Sequence, residues 1–414
     1  SGGIMSSSEA NEFPARALLS GPAGGIAACS SLATMLGVRH AATLDMGGTS
    51  TDVGLVGAMS EIVATTRIAG MPLTTPSVDM HTIGCGGGSI AHVDAGGALR
   101  VGPGSAGADP GPACYGKGDE PTVTDAHVVL GHIGPSTLLG GAFGIDPDRA
   151  RRAIERLGRR IGLDAERCAR GILEIAEVTM VRALLVMTVE RRIDPATVPL
   201  IAFGGAGGLH AAALARRLGM PRAIVPEHPG AFSAVGLVLA GESHEAVRTV
   251  LRPLHEIAPR ELASIVRDAS RAARDGLEGR SRKSVETAVL LRYQGQGGGL
   301  VLDAGPGLGE RFAALHEQRF GFRVENRSIE LVRVEARATT PATPLPPTSG
   351  GPGRRPRPIQ ARHGRPVYAR QSLPLGVAIE GPALIEEQTS VIVVPGDFTA
   401  RRSRAGVELV SRSS

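Results

Sequence analysis

Apolar and polar positions change period several times along this chain, and each change predicts an element. Two apolar runs between Thr43 and Val56 flank an acidic, glycine-rich turn, Leu44-Asp-Met-Gly-Gly-Thr-Ser-Thr-Asp52, which reads as a β-hairpin. Residues 18–36 read as a turn opening a tightly packed helix, and 62–68 as a further strand. Residues 74–118 are loaded with Gly and Pro, but the interspersed Ile, Val and Leu predict an ordered, loop-rich segment. Asp146-Pro-Asp148 starts a helix: Asp146 caps it, Pro147 suits its first turn, and Ala150, Ala153, Ile154, Leu157 and Ile161 repeat at helical spacing. A long helix follows over 165–192, with Ile172, Ile175, Ala176, Met180, Ala183, Leu184 and Met187 turned inward as core. A buried-type strand over 198–203 ends in Gly204-Gly-Ala-Gly-Gly208 and feeds a helix over 209–218. Another strand (223–226) and helix (231–239) come next, so strands alternate with helices.

Past Glu245 the texture changes. Strand-like runs at 285–293, 300–303 and 329–338 surround helices near 259–277 and 308–320. Residues 341–365 read as an extended Pro/Arg/Gly-rich linker, and the tail returns to strands at 383–387 and 390–394. The domain organisation expected is an α/β lobe over 1–245, an α+β domain over 246–340, a linker over 341–365 and a β-rich segment over 366–414.

Composition narrows the function classes. The 414 residues are 42% hydrophobic and 21% charged, ordinary for a globular protein, with only 3% aromatics and no Trp. The net charge of +5 comes from scattered Arg, and with so few rings to stack on bases, nucleic acid is not an expected partner. Four cysteines, Cys29, Cys85, Cys114 and Cys168, lack the C-x-x-C spacing of a zinc knuckle and suggest no disulfide framework, which fits a reduced, cytoplasmic protein. No apolar run approaches the ~20 residues that span a bilayer.

Two elements carry candidate chemistry. At the hairpin tip, Gly47 and Gly48 let backbone N–H groups approach phosphate oxygens, and Thr49, Ser50 and Thr51 add hydroxyl donors. Asp45 and Asp52 cannot donate to phosphate; they suit Mg²⁺ through its water shell, or the orientation of a water. An ordinary glycine-rich hairpin with two solvated aspartates is the other reading of the same residues. The strand-to-helix turn at Gly204, Gly205 and Gly207 offers free N–H groups and the positive end of a helix dipole. It does not follow the G-x-G-x-x-G frame of dinucleotide binding. A divalent metal site, Zn²⁺ or another ion, could draw on Asp45, Asp79, His81, Asp125, His127 and His210, or His81 and His210 could be hydrogen-bonded loop residues. Cys85 reads as a small buried thiol.

The pairing of an Asp-x-Gly-Gly-Thr hairpin with a later glycine turn resembles the actin-like (ribonuclease H-like) ATPase lobe. Longer blocks are more specific: Leu19-Ser-Gly-Pro-Ala-Gly-Gly25, the hairpin itself, His81 to Ile90, Arg100 to Gly116, Pro121-Thr-Val-Thr-Asp-Ala126, Arg292-Tyr-Gln-Gly-Gln296 and Gly381-Pro-Ala-Leu-Ile-Glu-Glu387. Together they resemble the hydantoinase A/5-oxoprolinase family over nearly the whole chain. The resemblance implies ATP- and Mg²⁺-dependent activation of a cyclic amide such as a hydantoin or 5-oxoproline, by phosphorylation of its carbonyl oxygen before ring-opening hydrolysis. It implies a B-type partner subunit as well. Asp45 would then organise Mg²⁺ and water, Gly47, Gly48, Thr49 and Ser50 would contact phosphate, and Gly204, Gly205 and Gly207 would face the adenosine. Asp52 would act as a hairpin-stabilising residue or as a catalytic base. Related ATP-dependent ketone carboxylases, and a non-catalytic reactivase or scaffold, are the alternatives within the same fold. Family members carry a further Asp-x-Gly-Gly-Thr hairpin on an N-terminal lobe, and this sequence has that pattern once, so it is expected to be a C-terminal portion.

Overall fold

The computed structural model describes residues 11, 20–57, 62–63, 66–68, 71–73, 77–78, 80–135, 143–277, 282–324, 326–351, 353–354 and 356–412. These residues form an α/β structure divided into two compact units.

The first unit begins with helix α1 (Ser20–Met35) and the expected hairpin, β1 (His40–Met46) and β2 (Thr51–Gly57). Both strands are almost fully buried, because the Ala, Leu and Val side chains on each face meet a helical layer. In the glycine-rich stretch that follows, the chain forms β3 (Met80–Ile83), β4 (Ser89–Val93) and β5 (Leu99–Ser105), more regular structure than a loop-rich segment was expected to hold. Helix α2 (Val123–Val129) opens on a reciprocal cap: Thr122 and Asp125 each accept from the other's backbone N–H. Helix α3 (Pro147–Arg159) is capped by Asp146, whose carboxylate accepts from the Asp148 and Arg149 N–H groups at 3.0 and 3.1 Å, an arrangement worth ~1 kcal/mol.

Helix α4 (Ala165–Thr188) is the long helix of the sequence pattern, and Ile172, Ala176, Met180, Ala183, Leu184 and Met187 all lie in the core. The next strand is β6 (Leu200–Phe203), whose glycine turn leads into α5 (Gly207–Leu218); β7 (Ala223–Val225) and α6 (Phe232–Leu239) follow.

The second unit is built on residues 239–343, together with the short strands Thr66–Ile68 and Met71–Leu73. Strands β8 (Ser243–Pro253), β9 (Ser284–Tyr293), β10 (Leu300–Asp303) and β11 (Ile329–Thr339) form an antiparallel sheet in the order β8-β11-β9-β10. Helices α7 (Pro259–Asp275) and α8 (Leu308–Phe320) pack on it around a separate core that includes Leu291, Tyr293, Phe312 and Val334.

The remaining chain returns to the first unit. It contributes β12 (Gln360–Arg362), β13 (Arg365–Ala369), β14 (Ala378–Glu380), β15 (Ala383–Glu386), β16 (Val391–Val394), β17 (Phe398–Ser403) and β18 (Gly406–Ser411). Three of these join the sheet of the hairpin, which runs β14-β17-β18-β7-β6-β1-β2-β3, while β12, β13, β15 and β16 make a small sheet of their own. The division is thus not consecutive along the chain. Residues 366–414, expected as a separate segment, lie in the same unit as the hairpin because β18 needs β7 as its partner: Ala223 pairs with Leu409 and Val225 with Val407. Only β1, β6 and β7 are mutually parallel neighbours in the large sheet, and their carboxyl ends all point to one edge.

Candidate functional site

The site is built at that edge. Strand β1 ends at Asp45 and Met46; Asp45 pairs with Phe203 of β6 on one side and with Asp52 of β2 on the other. The hairpin tip turns over one backbone hydrogen bond, from Gly47 N–H to the Ser50 carbonyl at 3.1 Å. Gly47, Gly48 and Thr49 are exposed, and among the described residues no hydrogen bond occupies the N–H groups of Gly48, Thr49 or Ser50.

The tip is braced from behind by residues 84–88. Gly87 N–H donates to the Gly47 carbonyl at 3.0 Å and Gly88 N–H to the Gly48 carbonyl at 2.6 Å, while the Thr51 hydroxyl donates to the Cys85 carbonyl. A Cβ on Gly86 would lie 2.7 Å from the backbone nitrogens of Thr49 and Ser50, so only glycine lets this loop close on the tip. The brace is anchored in turn by Thr124, whose backbone N–H and hydroxyl both donate to the Gly87 carbonyl, at 2.7 and 2.8 Å. Cys85 is buried there and burial pushes its thiol up to about 11, which fits the small buried thiol of the sequence reading.

The glycine turn after β6 meets the hairpin directly. Gly204 adopts φ +78°, and a Cβ on it would fall 2.4 Å from the Met46 carbonyl oxygen and 2.5 Å from Asp45 Oδ1. Ala206 N–H donates to the Met46 carbonyl at 3.0 Å and Gly204 N–H to the Pro229 carbonyl at 2.9 Å. The N–H groups of Gly205, Gly207 and Gly208 have no hydrogen-bond partner among the described residues. Two elements that sequence spacing placed about 150 residues apart therefore share one edge, with the Asp45 carboxylate between two sets of open N–H groups.

Asp45 is half-buried. Burial raises its pKa above the ordinary carboxylate value; the Ser233 hydroxyl, donating to Oδ2 at 3.1 Å, works against that, and the Asp52 charge adds to it. Asp52 is engaged on its far side, where the Thr82 hydroxyl donates to its Oδ1 at 2.5 Å. An acidic group flanked by unpaired N–H donors fits a magnesium-bound nucleotide: the donors at 48–50 would take phosphate oxygens, those at 205–208 would face the nucleoside side, and Asp45 would hold the ion through its waters.

The wider metal set does not assemble. Among the described residues no group of three or more His, Cys, Asp or Glu side chains is arranged to hold a metal ion. Asp79 lies outside the described residues. His81 sits exposed on β3, opposite Val53. The carboxylate of Asp125 is fully buried and accepts from Ala113 N–H (3.1 Å), Cys114 N–H (2.8 Å), Thr122 N–H (2.9 Å) and the Thr122 hydroxyl (2.8 Å), so its lone pairs are spent on capping α2 and holding the turn at 113–115. His210 is buried in a row of imidazoles with His127 and His132, backed by Glu177. His127 faces one neighbour with each ring nitrogen, a linear arrangement that presents no common point to a metal.

Ser233, Gly86 and His132 are the site-region residues that sequence reasoning missed. Gly86 had a visible signal in its run of three glycines; Ser233 had none, since only the fold brings α6 against β1.

A family model, Hydantoinase/oxoprolinase, matches residues 1–246. The chain belongs to that family. The alpha subunit of caprolactamase from Pseudomonas jessenii is 33% identical over 426 residues, covering 95% of this chain and 61% of that protein. A 5-oxoprolinase of Arabidopsis thaliana is 33% identical over 430 residues, covering 92% of this chain and 33% of that protein. An uncharacterized protein of Methanocaldococcus jannaschii is 34% identical over 440 residues and is covered to 64%. This chain thus spans between a third and two thirds of the length of these curated relatives. Among solved structures, the ATP-dependent caprolactamase of Pseudomonas jessenii superposes with a TM-score of 0.80 at 29% identity, covering 95% of this chain and 62% of that one. A nucleotide-free acetone carboxylase superposes with a TM-score of 0.77 at 24% identity, covering 94% and 61%, a likeness of fold alone. This hydantoinase/oxoprolinase-family chain is an α/β protein in which, among the described residues, no helix is long and apolar enough to cross a membrane.

Proposed function

We propose that this chain carries the phosphate-binding half of an ATP-dependent enzyme that opens a cyclic amide. The observation that supports it best is the meeting of Asp45 with the Gly204 turn at the carboxyl ends of parallel strands, the usual place for a ligand in such sheets. In this reading the N–H groups of Gly48, Thr49 and Ser50 cradle the terminal phosphates, with Gly47 shaping the turn, and those of Gly205 and Gly207 lie toward the nucleoside. Mg²⁺, when bound, would neutralise the phosphate oxygens. Asp45 orients the ion's waters, and Ser233 fixes the Asp45 carboxylate. Asp52 holds the hairpin in register through Thr82 and takes no proton in the reaction.

The chemistry follows from the weak electrophilicity of an amide. The substrate carbonyl oxygen attacks the γ-phosphorus, an O–P bond forms, and the bond to ADP breaks. Water then adds at the activated carbon and the ring C–N bond breaks, with the nitrogen taking a proton, to leave an acyl phosphate; a second water attacks its carbonyl carbon, so the carboxylate keeps two water-derived oxygens and inorganic phosphate departs with the former carbonyl oxygen. Relatives named as a caprolactamase and a 5-oxoprolinase support a lactam or related cyclic amide as the substrate class. The relatives' extra length supports a second lobe that closes over the nucleotide, and a subunit named alpha supports a companion subunit of the B type. Four buried thiols without disulfides suit a cytoplasmic location.

The test is ATP turnover by the full-length protein, with its companion subunit, on hydantoin, 5-oxoproline and caprolactam labelled with ¹⁸O at the carbonyl. Label appearing in inorganic phosphate is the expected result. ATP turnover that requires bicarbonate and leaves the label in a carboxylated product would replace this reading with the ketone-carboxylase one.

A further inference from the structure

The edge that holds Asp45 and Gly204 continues into a third turn, Glu387 to Ser390, between β15 and β16. Three glycines admit it. The Thr389 carbonyl oxygen lies 3.6 Å from where a Cβ on Gly205 would sit, the Thr389 side chain 2.8 Å from the same point on Gly230, and the Val391 carbonyl oxygen 2.6 Å from it on Gly208. The turn closes through Glu387 N–H to the Ser390 carbonyl at 3.1 Å and the Ser390 hydroxyl to Glu387 Oε1 at 3.0 Å, leaving Gln388 and Thr389 exposed. In order along the edge come the hairpin tip, the glycine turn, and this wall.

Behind the wall stands Arg370, only 2% exposed. Its Nη2 donates to the Val225 and Pro226 carbonyls at 2.8 and 2.7 Å, tying down the end of β7. Its other nitrogens face two carboxylates at ion-pair range: Nε stands 3.4 Å from Glu227 Oε2, and Nη1 stands 3.6 Å from Glu387 Oε2. Neither contact is a hydrogen bond, and both nitrogens are buried without one. Burial holds the Glu387 carboxyl above its usual range, with Arg370 opposing and Glu227 adding to the rise. Glu387 Oε1 accepts from Ser390 and Glu227 Oε1 from Arg402 Nε at 3.2 Å, which leaves Oε2 of each carboxylate beside Arg370 without a hydrogen bond.

We propose that Glu387 and Glu227 are the sugar-recognising pair of this site, accepting hydrogen bonds from the neighbouring 2′- and 3′-hydroxyls of a ribose. Carboxylates only accept, so the partner must donate. With Arg370 and Arg402 balancing the two carboxylates, the pair offers free acceptor oxygens rather than net charge, which suits a neutral vicinal diol, and its place beyond the glycine turn is where the sugar falls when the phosphates lie at the hairpin tip. The inference rests on the ATP reading above.

Calorimetry on the full-length protein with Mg²⁺ tests it, using ATP, 2′-deoxyATP and inorganic tripolyphosphate. The native protein is expected to prefer ATP to 2′-deoxyATP by about tenfold, the weight of one hydrogen bond to a charged group. Glu387→Gln, which keeps the size of the side chain and its bond from Ser390, is expected to abolish that preference and leave tripolyphosphate affinity unchanged. Glu227→Gln provides a second variant, and the native comparison of the two nucleotides needs no variant at all. Equal native affinity for the two nucleotides, or an unchanged preference in Glu387→Gln, overturns the assignment. Native protein that binds tripolyphosphate but gains nothing from the nucleoside overturns the sugar pair and leaves the phosphate site standing. Binding of neither compound overturns both.

Discussion

Nε2 of His127 lies 3.2 Å from Nε2 of His210, although the two residues are 83 positions apart. The contact is the middle of a row. His127 Nδ1 is 2.8 Å from His132 Nδ1, and His210 Nδ1 is 3.7 Å from Oε1 of Glu177, whose Oε2 accepts from Arg217 Nε at 3.1 Å. Burial opposes ionisation of Glu177, but His210 and Arg217 bring its pKa below the usual value. An ionised carboxylate there calls for a proton on His210 Nδ1. His127 must then donate through Nε2, and His132 through Nδ1, which fixes the tautomers of all three rings.

The row predicts acid sensitivity. Burial, reinforced by the neighbouring histidines, lowers the pKa of His127 well below its ordinary value; burial, with Arg365 next, brings His132 down to about 3. The unfolded chain binds these protons near pH 6.5 and the folded chain does not, so stability is intact above that value and falls as pH drops toward about 3. Urea unfolding from pH 8 to pH 5 is expected to show a falling midpoint, and His132→Asn is expected to flatten the slope. A midpoint independent of pH would contradict the arrangement.

Gly86→Ala is expected to disturb the hairpin tip from behind. The added methyl meets backbone rather than a flexible side chain, and overpacking of that kind costs ~1–3 kcal/mol. The thermal midpoint should fall together with affinity for tripolyphosphate. Gly48→Ala, where nothing lies within reach of the new Cβ, serves as the contrast and should keep its midpoint.

Asp125→Asn separates the cap from the metal reading. Its amide turns donors toward groups that are themselves donors, and each buried N–H left without an acceptor costs ~1–3 kcal/mol. Urea titration should register a large loss, while the metal content of the purified protein, measured by elemental analysis, should stay the same.

Asp45→Asn should do the reverse. The amide oxygen can still accept from Ser233, and removing a half-buried charge opposite Asp52 leaves the fold at least as stable. ATP turnover by the complete enzyme should fall by about a hundredfold, the scale seen when one electrostatic group at a reacting centre is lost.

The hairpin, the glycine turn, the capped α3 and the buried stripe of α4 were legible because each is local: a period, a cap or a glycine in the right place announces it. Their meeting was not, since it depends on β1 and β6 pairing in parallel across the intervening helices. The metal reading took Asp125 for a free ligand although Thr122, three residues earlier, already offered the reciprocal cap. Strand β8 escaped notice because His244, Glu245, Arg248 and Arg252 interrupt its alternation. Spacing carried no information on Ser233 or the histidine row, because both arise only when separate helices pack.

Placing β18 next to β7 has a consequence for how the chain is made. The strand that covers β7 is synthesised long after the hairpin and β7 themselves. Until then the sheet presents an open edge to any other nascent chain. A premature stop codon between β7 and β18 would therefore yield an aggregation-prone fragment, even one that retained Asp45, the glycine turn and every N–H group around them.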